Sequence, residues 1–178
     1  MGNFKKTEFI TERLVGYVGK NNKITARSGW ETTVIIQLQR LARVKKIASW
    51  NSEEVVFEYH KSIENRTARY FMDMCVVHNN GDILLIEVKP FSQTIKPFFK
   101  KGMNDKQKIA YQNAMNTFIT NSDKWNTVME WCENMNRKGT KKYTFQIWTE
   151  KPTKPAEINF FKKNAKFVNF PVKPVIPV

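Results

Sequence analysis

Two apolar runs either side of a turn, residues 68–90 (ARYFMDMCVVHNNGDILLIEVKP), restrict the fold of this chain more than any other feature. Asn79-Asn80-Gly81-Asp82 is turn chemistry, and the flanking runs have the aliphatic content of paired, buried strands. Each run nevertheless carries charge: Asp73 in the first, Glu87 in the second, and Lys89 two residues later. Charged groups are costly inside a sheet unless they are paired, hydrogen-bonded or bound to metal, so these three need a reason.

Strand periodicity suggests one. Residues i and i+2 share a face about 6.6 Å apart, which puts Glu87 and Lys89 beside the same spot. A two-residue Asn80-Gly81 turn would pair Asp73 with Val88 and turn Glu87 away. A three-residue Asn79-Asn80-Gly81 loop, with Gly81 left-handed in a bulge, would set Asp73 opposite Glu87. Only the second register makes one site of the three residues, and it is the register expected. Two carboxylates so placed repel each other, and a hard cation such as Mg²⁺ neutralises them. The lysine beside them could orient water or stabilise charge on a phosphate. The competing explanation, a Glu87–Lys89 surface pair on an edge strand, fits poorly with the apolar run from Ile83 to Ile86.

The charge balance names the kind of partner. Lys and Arg total 30 against 16 acids, a formal charge of +14, and nucleic acid heads the polyanions that such a chain would meet. No apolar run reaches the ~20 residues of a membrane span, and the N-terminus is too polar for a signal peptide, so no membrane role and a cytoplasmic location are expected. Two cysteines, Cys75 and Cys132, force no disulfide, and two histidines leave little for a zinc cluster or a histidine triad.

Along the chain, residues 1–26 read as a basic, irregular arm. Ser28-Gly29-Trp30-Glu31 has the form of a capping box, and Val34, Ile35, Leu38 and Leu41 repeat at helical spacing, predicting a helix from Gly29 to Val44. Glu31 lies on that stripe, either capping the helix or pointing to the sheet as a further acid. Residues 50–52 read as a turn, 54–60 as a first strand, and the opening runs as the second and third. The loop after Pro90 interleaves Phe91, Phe98 and Phe99 with Lys96, Lys100, Lys101, Lys106 and Lys108, a pattern suited to nucleic acid or to closing the core. Two helices follow, 104–119 and a second one capped by Ser122 or Asp123 and ended by Gly139, with Tyr111 as core packing. Residues 143–149 form a fourth strand. Five prolines place 151–178 outside regular structure, as a Pro/Lys-rich tail.

The D…ExK pattern resembles the site of restriction-endonuclease-like, PD-(D/E)xK nucleases. Together ARSGWE (26–31), SWNSE (49–53), RYFMD (69–73), IEVKP (86–90) and NSDKW (121–125) resemble the head completion nuclease family of tailed bacteriophages, itself similar to the TnsA endonuclease of transposition. The resemblance runs from about Tyr17 to Glu150. It implies an α/β fold of order αβββ-αα-β, with a mixed central sheet flanked by helices, in a nuclease-like domain at 27–150. It also implies catalytic Glu31, Asp73, Glu87 and Lys89, with Mg²⁺, or Mn²⁺ in its place, on Asp73, Glu87, the Val88 carbonyl and Glu31. DNA would be gripped by Arg27 and the five loop lysines. Expected partners are DNA and capsid, portal or neck proteins, in the host cytoplasm and the virion. The alternatives are a non-cutting capsid or DNA-end-binding protein and a TnsA-like transposition subunit. The tail and the 91–104 loop depart from the family pattern.

Overall fold

The computed structural model describes residues 6–139, 141–149 and 165–169. Its centre is a five-stranded mixed sheet of order β3-β6-β7-β8-β9: Ser49–Asn51, Met74–Val77, Ile83–Val88, Tyr143–Thr149 and Ala165–Asn169. The first three strands are antiparallel, and β8 and β9 add on parallel to β7. Two further hairpins, β1 (Thr7–Ile10) with β2 (Lys23–Ala26) and β4 (Val56–Lys61) with β5 (Arg66–Phe71), stand as separate two-stranded sheets. The helices are α1 (Gly29–Arg43) and α2 (Asp105–Lys138).

A helix on each side covers the sheet. Side chains of β7 alternate between the two layers: Leu85 joins Phe118, Trp125, Val128 and Met129 of α2, while Ile86 and Val88 join Val34, Ile35 and Leu38 of α1. A strand covered on both faces has no solvent side, which is why Ile83–Val88 reads as a nearly unbroken apolar run. Glu87 lies on the α2 side by the same alternation and is 1% exposed.

The hairpin has the three-residue loop. His78 N–H donates to the Asp82 carbonyl and Gly81 N–H to the His78 carbonyl, both at 2.9 Å, with Gly81 at φ +85°. Register then runs from Val77 opposite Ile83 to Met74 opposite Ile86, and one more step faces Asp73 with Glu87. Helix α1 begins where expected, with Ser28 Oγ accepting from Glu31 N–H.

Several expectations need correction. Residues 23–26 and 7–10 of the presumed arm are a hairpin, and β2 contributes buried Ile24 and Ala26 to the α1 layer. A turn was expected at residues 50–52, but Ser49–Asn51 is edge strand β3, with Trp50 fully buried. The run from Ala68 is not one strand but two: it leaves the β4–β5 hairpin at Phe71, breaks at Met72 and Asp73, and enters the central sheet at Met74. The element order is thus ββαβββββαββ, with one helix where αα was expected. Residues 165–169, in the presumed unstructured tail, pair with β8 in a stretch free of proline, while 150–164 and 170–178 lie outside the described residues. Cys75 and Cys132 are both free and buried.

The two helices expected after residue 104 are a single one of 34 residues, about 50 Å long at 1.5 Å per residue. Asn104 and Gln107 close a reciprocal capping box at its start, and Gly139 follows its last residue. Ser122 and Asp123 looked like a new N-cap but sit mid-helix. Ser122 Oγ donates to the Phe118 carbonyl, and Asp123 accepts from Ser62 N–H at 2.9 Å and Ser62 Oγ at 2.8 Å. Asp123 thereby caps the 3₁₀ turn Ser62–Glu64 that joins β4 to β5. Asp123→Ala is expected to lower stability by about 1 kcal/mol, the usual worth of a lost cap, leaving α2 helical; denaturant unfolding and far-UV dichroism check both halves.

Candidate active site

The break at Met72-Asp73 determines the site. Where the chain passes from one sheet to the other, the Asp73 side chain is free of ladder geometry and folds onto β7: Oδ2 accepts from Val88 N–H at 2.8 Å. Glu87, opposite in register, is held from both sides. Its Oε1 pairs with Lys89 Nζ at 2.8 Å, and its Oε2 accepts from the Tyr70 hydroxyl at 2.6 Å. Three of the expected residues are therefore brought together at the carboxyl end of β7.

The electrostatics follow from crowding two carboxylates under a helix. Burial, then the charge of Glu87, pushes the Asp73 carboxyl well above the usual range, against the opposing pull of Lys89 and the Val88 N–H. Burial acts to lower Lys89, but Glu87, Asp73 and the hydrogen bond to Glu87 outweigh it, so the ammonium is held more firmly than in water. Burial, with Glu87 beside it, also raises Tyr70, keeping that hydroxyl a donor. Lys89 is ion-paired with Glu87, while Asp73 accepts from the Val88 backbone. Two facing carboxylates of this kind are the donor set a hard divalent cation fits. Among the described residues no three His, Cys, Asp or Glu side chains form a metal cage, so an ion on Asp73 and Glu87 would take its other oxygens from backbone, water and substrate.

Glu31 is placed differently. Both carboxylate oxygens turn back on its own helix start, Oε1 accepting from Ser28 Oγ at 2.8 Å and Oε2 from Arg27 N–H at 2.9 Å. It reaches Asp73 and Lys89 only through its charge, adding to the rise in both. Arg27 is ion-paired with Glu53, whose backbone is left-handed at φ +56°. The loop lysines Lys96, Lys100, Lys101, Lys106 and Lys108 are all exposed, Lys108 pairing with Asp105 at 3.0 Å. Lys96, Lys100 and Lys101 line the segment leaving β7, whereas Lys106 and Lys108, expected in the loop, lie in the first turn of α2; none enters the carboxylate cluster.

Two residues of the cluster were missed by the sequence reading. Tyr70 is a buried tyrosine, and a buried hydroxyl demands a partner, so its place three residues before Asp73 was a usable signal. Lys124 is on the inward side of α2, one turn before buried Val128. Its Nζ stands 5.2 Å from the Tyr70 ring centroid and 5.9 Å from that of Tyr59. Burial lowers this lysine, with Glu87 and Asp73 acting to raise it and Lys89 to lower it. A cation caged by two rings above paired acids can meet a phosphate oxygen entering between them.

The model of the TnsA-like endonuclease N-terminal family matches residues 45–150. A head completion nuclease of Enterobacteria phage T4 is 30% identical over 143 residues, covering 80% of this chain and 89% of that protein. No solved structure matches the chain.

Proposed function

The chain belongs to the TnsA-like endonuclease family and is similar to a phage head completion nuclease, and from that premise we propose that it is a metal-dependent DNA endonuclease acting at phage head completion. The observation that carries the reading is the pairing of Asp73 with Glu87 under Lys89 at the end of β7. A protein that only bound DNA would gain nothing by holding two carboxylates against phosphate.

In this reading Asp73, Glu87 and the Val88 carbonyl hold Mg²⁺, with Mn²⁺ able to substitute, and Glu31 joins them directly or through water by leaving its cap. The ion, when bound, supplies charge neutralisation and Lewis-acid activation at the scissile phosphate. Lys89 exchanges part of its contact with Glu87 for the attacking water or a phosphate oxygen, and its raised affinity for protons keeps it a donor rather than a base. Tyr70 fixes the Glu87 carboxylate from behind. Lys124 balances charge from the α2 side. Loop lysines and Arg27 hold the phosphate backbone, a grip that sets affinity without reading sequence. The working site is the host cytoplasm and the assembling virion, with capsid, portal or neck proteins as docking partners. No helix among the described residues is long and apolar enough to cross a membrane.

Purified protein incubated with supercoiled, linear and branched DNA is expected to cut with Mg²⁺ or Mn²⁺, to stop with chelator, and to lose activity as salt rises. Tight DNA binding with no cutting under any divalent metal would replace this reading with a structural, DNA-end-binding role.

A further inference from the structure

We infer that the cleft between the 97–103 segment and the start of α2 seats an unstacked nucleobase, so that the substrate is DNA with an unpaired strand at a junction or end. This rests on the nuclease reading and gives it a substrate class.

Phe98 is 79% exposed and Phe99 54%. Exposing two adjacent phenylalanines forgoes the stabilisation of burying them, about 1.5–3 kcal/mol for each fully buried side chain. Phe99 is braced edge-on against Tyr111, ring centroids 5.4 Å apart, so the pair forms a supported aromatic wall. Next to it lies an open cleft of about 480 Å³, lined by Pro97, Phe98, Lys100, Lys101, Gln107 and Tyr111. Both lysines carry the charge a phosphate needs on either side of a stacked base. Gln107, which lines the cleft, has its Oε1 taken by the Asn104 N–H, so its amide nitrogen is the donor it can offer a base edge.

The occupant follows from this lining. Aromatic faces interleaved with lysines, without a long apolar groove, match a single strand, whose every base offers a π-face. A duplex keeps its bases stacked inside and offers the cleft only phosphates. The position also fits: the segment leaves β7 straight after Lys89, is pinned by the 3₁₀ turn Phe91–Gln93 and buried Thr94, and then reaches the cleft. The first part of α2 supports it, since no α2 residue before Phe118 is buried. The helix N-terminus itself is closed by its capping box and is not the binding feature.

The test uses the full chain carrying Asp73→Asn, so that DNA stays whole, and forked oligonucleotides with 2-aminopurine in the unpaired arm. Binding is expected to quench the probe by stacking. Adding Phe98→Ala should abolish the quench and weaken forked DNA about 10-fold or more, while duplex affinity changes less than about twofold. Phe98→Trp should restore both. Since Phe98 is exposed, an unchanged melting temperature will confirm that the variants fold. Equal weakening of forked and duplex DNA, or no quench at all, overturns the base seat. Phe98-dependent quenching in a wild-type protein that never cuts would leave the seat standing and remove the nuclease reading instead.

Discussion

Asp73→Asn is expected to end cleavage while making the metal-free protein more stable. The amide keeps an acceptor for the Val88 N–H but removes a carboxylate that burial and Glu87 both oppose. Cleavage should fall by about 10³-fold or more, the scale of losing a group that meets charge developing in the transition state. Stability moves the other way. Because the folded protein holds the Asp73 proton more tightly than the unfolded chain does, the contribution of this group is greatest below the ordinary carboxylate range and is lost as pH rises through the higher folded value. The wild-type melting temperature should therefore decline relative to the variant as pH rises from about 4 toward neutrality. A gain of about 1 kcal/mol would appear as about 2–4 °C in a domain of this size. Added Mn²⁺ should raise the wild type and leave the variant unmoved. A variant that melts at or below the wild type at neutral pH without metal would show that Asp73 is not under this strain.

Lys89→Met should be the most damaging single change at the site. Glu87 would keep the Tyr70 hydrogen bond and lose its ion pair with Lys89 at 1% exposure, and stranding one member of a buried pair costs about 3–5 kcal/mol. That corresponds to about 6–20 °C in melting temperature for a domain of this size. Glu87→Gln added to Lys89→Met should return most of the stability and none of the cleavage. Recovery of stability without activity separates the structural from the chemical part of Lys89. The pH dependence has the same sense as that of Asp73 but falls in the alkaline range: the raised Lys89 stabilises the fold below the ordinary ammonium range and ceases to do so only as pH passes its folded value.

What could be read from the chain was whatever a local rule encodes. Asn79-Asn80-Gly81 forms the hairpin loop and through it sets the facing of Asp73 and Glu87: Gly81 alone is left-handed while Asn80 is not, which is the three-residue loop and not the two-residue turn. Ser28 and Glu31 marked the start of α1 for the same reason. What escaped depended on partners distant in sequence. Ser49–Asn51 is too short for a period and is a strand because β6 on one side and the Gly16–Val18 backbone on the other pair with it. Ser122 and Asp123 carry the letters of a cap, yet Asp123 spends its carboxylate on Ser62, sixty-one residues away in sequence. The run through Ala68–Val77 keeps its alternation across Met72 and Asp73, so nothing local reports that the two halves belong to different sheets. Lys124 entered the site from α2 for the same kind of reason: its neighbours Tyr59 and Tyr70 come from another hairpin.

The unbroken course of α2 also sets a ruler. Tyr111 at the aromatic cleft and Lys124 above the carboxylates lie on one rod, thirteen residues or about 20 Å apart along its axis. A kinked pair of helices would let that spacing drift. One continuous helix fixes it, and at about 3.4 Å per base step it measures about six nucleotides of duplex. The scissile bond would then lie at a constant offset from the point where the strands part, set by helix length and not by base sequence.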